Sequence, residues 1–189
     1  MENALAVPSR IRPAASLNER SAVNDDTYLE SNDSAFCALT DFQQEYPITV
    51  EADRCIEDAL ADMNRLGVHA LLVTRQDLDS TDLQVVGLIT YYDIERRHPH
   101  RHPHATVLRE HSGVRVGAVM TSCDELALVK YESLQMLTAF ELYEMFQGTG
   151  LTHLLVVEIH SDEVTLARGL VSRATLAKRL RRSRTADSR

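Results

Sequence analysis

Thr90 and Asp93 are the two side chains of this sequence whose types and spacing best suit ligand binding. They follow an apolar run over residues 86–89, which predicts a strand that ends where a helix begins. The first N–H groups of a helix lack internal partners and carry the positive end of its dipole, so a phosphate can bind there. The Thr90 hydroxyl can donate to a phosphate oxygen, and the Asp93 carboxylate can accept from both hydroxyls of a ribose.

The same pair has a purely structural alternative. A Thr followed three residues later by an acidic residue at a helix start can form a capping box, in which the two side chains bind free N–H groups of the helix itself. Capping boxes are common and short motifs match by chance, so the pair taken alone favours capping over a ligand. The two interpretations differ in whether Asp93 is available to a ligand.

The sequence around this pair occurs twice. In the first copy Gly67 precedes Gly87 by 20 residues, and in the second Gly150 precedes Gly169 by 19 residues. In both copies the first glycine begins an apolar segment, and the second is followed by two apolar residues and a hydroxyl residue. Two such copies in one chain predict two similar structural units.

Each copy is predicted to fold in the order β-α-β-β-α. The elements predicted for the first copy are a strand at 48–50, a helix at 56–66 that ends at Gly67, strands at 70–74 and 83–90, and a helix from Thr90. Those predicted for the second copy are a strand at 126–129, a helix at about 133–147 before Gly150, strands at 154–159 and 164–171, and a helix from Ser172. The first helix of the second copy is predicted to be about one turn longer than its counterpart.

These motifs resemble those of a tandem pair of CBS domains, the regulatory unit called a Bateman module. The resemblance rests on the segment Val116-Gly117-Ala118-Val119-Met120-Thr121, on the glycine-led strands at Gly67 and Gly150, and on the segment Gly87-Leu88-Ile89-Thr90-Tyr91-Tyr92-Asp93. It implies an α/β (α+β) fold of two β-α-β-β-α repeats packed with approximate twofold symmetry. It divides the chain into a mobile N-terminal arm (1–35), a first repeat (36–97), a His/Pro-containing linker (98–113), a second repeat (114–182) and a basic tail (183–189).

Three departures from the family pattern concern the ligand sites. Leu72 and Leu155 stand where many members have a proline, and the segment 39–42 matches its counterpart in the family only loosely. Thr175 replaces the acidic residue that ends the signature in the second copy. The first site is therefore intact in sequence, whereas the second lacks its carboxylate.

The resemblance implies an adenine slot at the starts of the strands beside each hydroxyl residue. The residues that it assigns to ligand binding in the first copy are Ile48, Val50, Val68, His69, Ala70, Thr90 and Asp93. Those at the pseudo-symmetric positions are Thr121, Thr152, His153, Ser172, Arg173 and Thr175. For the two histidines, a partly buried structural role is the alternative.

The function implied by the resemblance is that of a stand-alone regulatory module. It would bind an adenosine-containing ligand (AMP, ADP, ATP or S-adenosylmethionine) and signal by conformational change to a separate partner protein of unknown identity. The alternative is a ligand-free dimerisation scaffold with degenerate nucleotide sites, which Thr175 and the missing prolines favour. A homodimer is expected in either case, with the longer helix of the second copy supplying an apolar surface formed by Leu134, Leu137, Phe140, Tyr143, Met145 and Phe146.

Composition excludes several other classes of function. The sequence has no recognisable catalytic motif, so neither an enzyme nor a catalytic cofactor is predicted. It has no long apolar run and no secretory signal, which predicts a cytoplasmic protein with no membrane contact. The net charge of −8 argues against nucleic-acid binding. Three cysteines without CxxC spacing predict neither disulfides nor a zinc site. The proline-broken run of alternating histidines at residues 98–104 indicates an exposed linker and no metal site, with weak, adventitious metal binding as the alternative.

Overall fold

The computed structural model describes residues 11–13, 28–76, 83–96, 113–160 and 165–180. The basic tail, and the His/Pro-containing linker apart from Gly113, lie outside the described residues, so what the sequence predicts for them stays a prediction. The chain divides into two compact units. The first unit comprises Met1–Pro13 and Pro47–Leu126, and the second comprises Ala14–Tyr46 and Ala127–Arg189.

The secondary structure of the described residues alternates short strands with helices. In chain order the strands are β1 (Ile11–Pro13), β2 (Thr40–Asp41), β3 (Thr49–Glu51), β4 (Ala70–Gln76), β5 (Leu83–Thr90), β6 (Thr121–Ser122), β7 (Leu128–Lys130), β8 (His153–Ile159) and β9 (Thr165–Ser172). The α-helices are α1 (Ile56–Leu66), α2 (Tyr91–Arg96), α3 (Tyr131–Gln135), α4 (Ala139–Thr149) and α5 (Arg173–Arg179). Short 3-10 helices span Ala35–Ala38 and Val116–Ala118.

The first unit is built on the antiparallel hairpin of β4 and β5, in which Ala70 pairs with Thr90. Strand β3 adds in parallel to β4, and β1 and β6 pair with β5. Helix α1 buries Ile56, Ala59 and Met63 on the face that the sequence periodicity predicts. It ends at Gly67, whose φ of 68° is the left-handed conformation expected of a glycine cap.

The second unit repeats this arrangement. Strands β8 and β9 form the antiparallel hairpin, β7 adds in parallel to β8, and β2 pairs with β9. A register shift lies between Val156 and Val157, six residues after Gly150, and its counterpart lies between Val73 and Thr74, six residues after Gly67. The predicted order β-α-β-β-α is therefore confirmed in both copies, and the hairpins also share the position of this irregularity.

The helix predicted at 133–147 is wrong as a single element. The chain forms α3 and α4, both shown above, with a break at Met136–Thr138. Thr138 caps α4 through its side chain, and the Ala35 N–H donates to the Leu137 carbonyl at 2.8 Å. The backbone at the break is thus bound by a distant segment. Helix α4 has 11 residues, the same length as α1, so the prediction of a helix one turn longer is wrong. The additional residues form α3.

The segment at the start of each repeat belongs to the compact unit that holds most of the other repeat. Residues 28–46 belong to the second unit, where Ala139 N–H donates to the Asp33 carbonyl at 2.7 Å and β2 pairs with β9. Residues 113–126 belong to the first unit, where Val116 N–H donates to the Arg54 carbonyl at 2.9 Å and β6 pairs with β5. The boundaries of the compact units therefore differ from the repeat boundaries at 36–97 and 114–182.

Part of the predicted mobile arm is a structural element. Leu29 and Ala35 are buried in the core of the second unit, against Leu142 and Phe146 of α4. The prediction of a mobile arm up to residue 35 is therefore wrong for residues 28–35, since the side chains of Leu29 and Ala35 complete a core that lies far away in sequence. Residues 11–13 of the same arm form β1 and pair with β5.

Most of the apolar surface predicted on the second copy's helix is buried within its own unit. Leu134 and Phe146 are fully buried, and Leu137, Tyr143 and Met145 are partly buried against the same core. Phe140 is 47% exposed, and its neighbour Met136 is 85% exposed. The apolar surface that is left for self-association is therefore much smaller than the sequence predicted.

Candidate functional site

Thr90 is the last residue of β5 and is buried, with 6% of its surface exposed. It follows Leu88 and Ile89, which are also buried. Its position is fixed by the strand pair, because it lies opposite Ala70 and the next residue, Tyr91, donates its N–H to the His69 carbonyl at 2.9 Å. The hairpin therefore brings Thr90 next to two of the residues predicted for the adenine slot.

Thr90 and Asp93 bind each other reciprocally. Oδ2 of Asp93 accepts from the Thr90 hydroxyl at 2.7 Å and from the Thr90 N–H at 2.8 Å. The Asp93 N–H donates back to the Thr90 hydroxyl oxygen at 3.2 Å. This is the geometry of a capping box. Among the described residues, Oδ1 of Asp93 has no hydrogen-bond partner, so one carboxylate oxygen remains available.

An undisputed capping box in the same chain has nearly the same geometry. At the start of α4, Oε2 of Glu141 accepts from the Thr138 N–H at 2.8 Å and from the Thr138 hydroxyl at 2.9 Å, and Glu141 N–H donates to that hydroxyl at 3.2 Å. These bonds lower the pKa of Glu141 below its ordinary value. The local geometry alone therefore does not separate a ligand site at Thr90 from a helix cap.

An aromatic group lies beside Thr90. His69 and Tyr91 meet edge to face with ring centroids 6.3 Å apart, as do Tyr91 and Tyr92. A hydrogen bond to Glu95 raises the pKa of Tyr91. Burial and the negative charge of Glu95 raise it further. His69 is exposed, so the partly buried histidine offered as its alternative role is wrong for this residue. The group provides exposed ring surface next to Asp93.

The remaining slot residues of the first unit divide into two kinds. Val50 is 3% exposed and belongs to the core, so its side chain faces away from solvent. Ile48 and Val68 are partly buried against the same core, and the Ile48 carbonyl accepts from the Leu72 N–H at 3.0 Å. Thr121, which the resemblance assigned to the site of the second copy, is instead partly buried on β6 of the first unit, opposite Leu88. Leu88 precedes Thr90 by two residues on β5.

The second unit reproduces the backbone of this site without its carboxylate. His153 lies opposite Ser172, and the Arg173 N–H donates to the Thr152 carbonyl at 2.9 Å. The Thr175 N–H reaches the Ser172 hydroxyl oxygen at 3.5 Å, which caps α5. A neutral hydroxyl at Thr175 stands where the first unit has Asp93, so an acceptor for two sugar hydroxyls is missing here.

His153 occupies the position that Ala70 has in the first unit. It is partly buried, and its Nδ1 lies 3.1 Å from the Thr152 hydroxyl. His153 therefore has the partial burial that the structural alternative expects, and its assignment to the ligand site stays a prediction.

Gly87 and Gly169 mark the two repeats in the sequence, and they also have a structural role that the sequence pattern did not predict. A Cβ on Gly87 would lie 2.5 Å from the Thr121 carbonyl oxygen, and one on Gly169 would lie 2.5 Å from the Thr40 carbonyl oxygen. Each glycine admits the short strand that pairs with its hairpin, β6 on β5 and β2 on β9. The matching position of the glycines in the two copies was the available signal.

The described ranges contain no group of three or more His, Cys, Asp or Glu side chains that could hold a metal ion. The alternating histidines of residues 98–104 lie outside these ranges. Within the same ranges, no helix is both long and apolar enough to cross a membrane.

Comparisons with known proteins agree with this arrangement. Residues 39–98 match the family model described as CBS domain. The structure is similar to the CBS domain of a bacterial CNNM/CorC family Mg2+ transporter in complex with ATP, with 15% identity, a TM-score of 0.53, and coverage of 79% of this chain and 87% of that chain. The same domain in complex with the inhibitor IGN95a gives 15% identity, a TM-score of 0.52, and coverage of 79% and 76%.

A third solved structure is a CBS-domain containing protein from Agrobacterium tumefaciens, with 20% identity, a TM-score of 0.49, and coverage of 70% of this chain and 82% of that chain. A search of curated proteins gives no significant match. At these identities, the similarity to solved structures concerns the fold.

Proposed function

We propose that this chain, which carries a CBS domain in residues 39–98, is a regulatory module that binds an adenosine-containing ligand at Thr90 and Asp93. The observation that carries the proposal is the carboxylate of Asp93, which has one oxygen without a described partner. A charged acceptor in that position suits the two hydroxyls of a ribose. The ligand class is AMP, ADP, ATP or S-adenosylmethionine.

The comparison that supports this ligand class is the ATP complex of a transporter CBS domain with a similar fold. The mechanism that we propose is a shift between two conformations of the module, in which the ligand binds one conformation more tightly than the other. The regulated protein would be a separate partner. The soluble, cytoplasmic location predicted from the sequence belongs to the same proposal.

The second unit is proposed to bind the ligand weakly or not at all. Thr175 offers one neutral hydroxyl where Asp93 offers a charged carboxylate, and charged acceptors bind about twice as strongly as neutral ones. The other polar side chains that the sequence assigned to this site on β8 and α5 are those of His153 and Arg173. We therefore expect one occupied site per chain.

A ligand-free scaffold is the second candidate function. The observation that favours it is the close agreement between the Thr90–Asp93 bonds and those of the Thr138–Glu141 capping box. In that case Asp93 stabilises α2, and the repeats serve for assembly. A homodimer is proposed under both functions, with Met136 and Phe140 as the exposed apolar residues that such an interface would cover.

Isothermal titration of the wild-type chain against the four ligands, together with Asp93→Asn, tests the proposal. Asparagine keeps an acceptor for the two Thr90 bonds but removes the charge, so the cap is largely retained while a charge-assisted sugar contact is lost. We expect one ligand per chain and a loss of affinity of about 10- to 150-fold in Asp93→Asn. Absence of binding by the wild type at millimolar ligand, or equal affinities, would favour the scaffold.

A further inference from the structure

The short strands β2 and β6 dock on their hairpins in the same way. The Phe42 N–H donates to the Arg168 carbonyl at 2.8 Å, and the Cys123 N–H donates to the Val86 carbonyl at 3.0 Å. Thr40 lies opposite Leu170, one residue after Gly169, as Thr121 lies opposite Leu88, one residue after Gly87. The two docking edges are therefore equivalent in backbone geometry.

The turns that follow these strands are equivalent too. The carbonyl of Asp41 accepts from the Gln44 and Glu45 N–H groups at 2.9 and 2.8 Å. The carbonyl of Ser122 accepts from the Glu125 and Leu126 N–H groups, both at 3.0 Å. Because each edge also has a glycine that admits a strand, backbone hydrogen bonding allows either strand to dock on either hairpin.

The side chains at the docking positions differ between the two units. In the second unit the Asp41 carboxylate forms a bidentate ion pair with Arg168, with both N···O distances 3.0 Å. The side chains are 5% and 11% exposed, so the pair is nearly removed from water. Arg168 also bonds Glu158 at 3.3 Å and has its guanidinium carbon 4.4 Å from the centre of the Tyr131 ring.

The equivalent positions of the first unit carry no charge. Ser122 corresponds to Asp41 and Val86 corresponds to Arg168, since each pair occupies the same register beside its glycine. If β2 docked on β5, the Asp41 carboxylate would face Val86 and keep only its local bonds, such as the 2.8 Å bond from the Gln43 N–H. If β6 docked on β9, Arg168 would face Ser122 and lose its bidentate partner. The first exchange would leave Asp41 buried without its charged partner, which is strongly unfavourable. The second would leave Arg168 with Glu158 as its remaining acidic partner and without the bidentate pair.

We propose that the Asp41–Arg168 ion pair selects the strand pairing of this chain, directing residues 40–41 to β9 and thereby residues 121–122 to β5. The ion pair is not needed for a strand to dock, because the first unit holds β6 on β5 with the uncharged residues Ser122 and Val86 at the same positions. A buried ion pair that can be replaced by apolar residues without loss of stability is suited to specifying one arrangement among several. The inference is independent of any ligand.

Disulfide trapping after refolding distinguishes the two pairings. The background carries Cys37→Ser, Cys55→Ser and Cys123→Ala. Thr40→Cys with Leu170→Cys reports the observed pairing, and Thr40→Cys with Leu88→Cys reports the exchanged one, whether within one chain or between two. Each reporter is combined with the native ion pair or with Asp41→Ser and Arg168→Val together, which copy the residues of the first unit.

With the native pair, we expect only the Leu170→Cys reporter to form a disulfide, because the exchanged pairing is disfavoured by a factor on the order of 100 or more. In the double variant we expect the Leu88→Cys reporter to form a disulfide in a substantial fraction of chains, while the melting temperature stays close to that of the background. Arg168→Val alone should melt at a lower temperature than the double variant, since Asp41 is then buried without its partner. Glu158, which is 25% exposed, stays hydrated in both.

Two results would overturn the proposal. If the double variant still forms only the Leu170→Cys disulfide, the pairing is selected by packing, for which the burial of Leu29 and Ala35 in the core of the second unit is the next explanation. If Arg168→Val is as stable as the double variant, Asp41 does not depend on its partner and the ion pair cannot act as a selector.

Discussion

The Thr90 hydroxyl donates to Oδ2 of Asp93 at 2.7 Å and accepts from the Asp93 N–H at 3.2 Å. The two residues that best suit a nucleotide in sequence are thus joined to each other in the absence of a ligand. A ligand that uses Asp93 must either bind its second oxygen or replace the bond to Thr90. The role of this pair is therefore decided by comparing its contribution to stability with its contribution to binding.

Asp93→Ala and Glu141→Ala form a matched pair for this comparison, since both remove the acidic member of a reciprocal Thr cap. We expect both to lower the melting temperature, and Asp93→Ala to reduce the free energy of unfolding by about 1 kcal/mol. Only Asp93→Ala should reduce nucleotide affinity, by about 10- to 150-fold. Titration and thermal melts of both variants measure the two effects, and an equal loss of affinity in Glu141→Ala would show that it arises from stability alone.

The capping bonds of Glu141 predict a dependence of stability on acid. Hydrogen bonds from the Thr138 N–H and hydroxyl lower the pKa of Glu141 below its ordinary value of 4.5. The charged form therefore stabilises the fold fully above that value, and this contribution is lost as the pH falls through the lowered pKa of the folded state. Glu141→Gln keeps the cap without the charge, so the wild type should be more stable near neutral pH and the difference should vanish in acid. A difference that is the same at every pH would contradict this assignment.

Cys123 is expected to be the least reactive cysteine of the chain. Burial, with a smaller effect of the neighbouring Asp124 charge, raises its pKa to about 11, and its thiol donates to the Val85 carbonyl at 3.3 Å. At about pH 8, roughly one Cys123 in a thousand is then a thiolate. Iodoacetamide labelling followed by peptide mass spectrometry should modify the exposed Cys37 first. Labelling of Cys123 at the same rate in the native protein would show that its site is open.

Replacing Gly87 or Gly169 by alanine should destabilise the unit that contains it. The new methyl group would meet the Thr121 carbonyl oxygen in one case and the Thr40 carbonyl oxygen in the other, each at 2.5 Å. We expect each substitution to cost about 1–3 kcal/mol of unfolding free energy in a denaturant titration. Gly148→Ala is the control, because Gly148 lies in α4 with open space around it and should gain roughly 0.5–1 kcal/mol. Destabilisation by all three would point to a general effect of alanine.

Removal of residues 28–46 should weaken the second unit although it leaves β1 and the predicted elements of both repeats in place. The deletion removes β2 and the buried Ala35, which pairs its N–H with Leu137 at the break between α3 and α4. Hydrogen exchange should then show loss of protection in α4 and β9, with β4 and β5 less affected. A loss confined to the first unit would mean that the segment 28–46 stabilises the repeat that follows it in sequence.

The sequence by itself determined most of the elements of both repeats. Helical periodicity and a glycine at each helix end fixed α1 and the cap at Gly67, and the same signal at Gly150 placed the end of α4. These features depend on residues within one or two turns of each other, which a linear pattern records fully. The carboxylate at Asp93 and its replacement by Thr175 were likewise visible without coordinates.

The tertiary structure decided which segment completes which unit. The helix break at Met136–Thr138 depends on Asp33 and Ala35, about a hundred residues away, and no local pattern records that contact. The docking of β2 on β9 was equally hidden, because the backbone of either short strand fits either hairpin, and the buried Asp41–Arg168 ion pair forms only where β2 meets β9. Local propensity specifies elements, whereas the burial of charge and apolar surface between distant segments selects their partners.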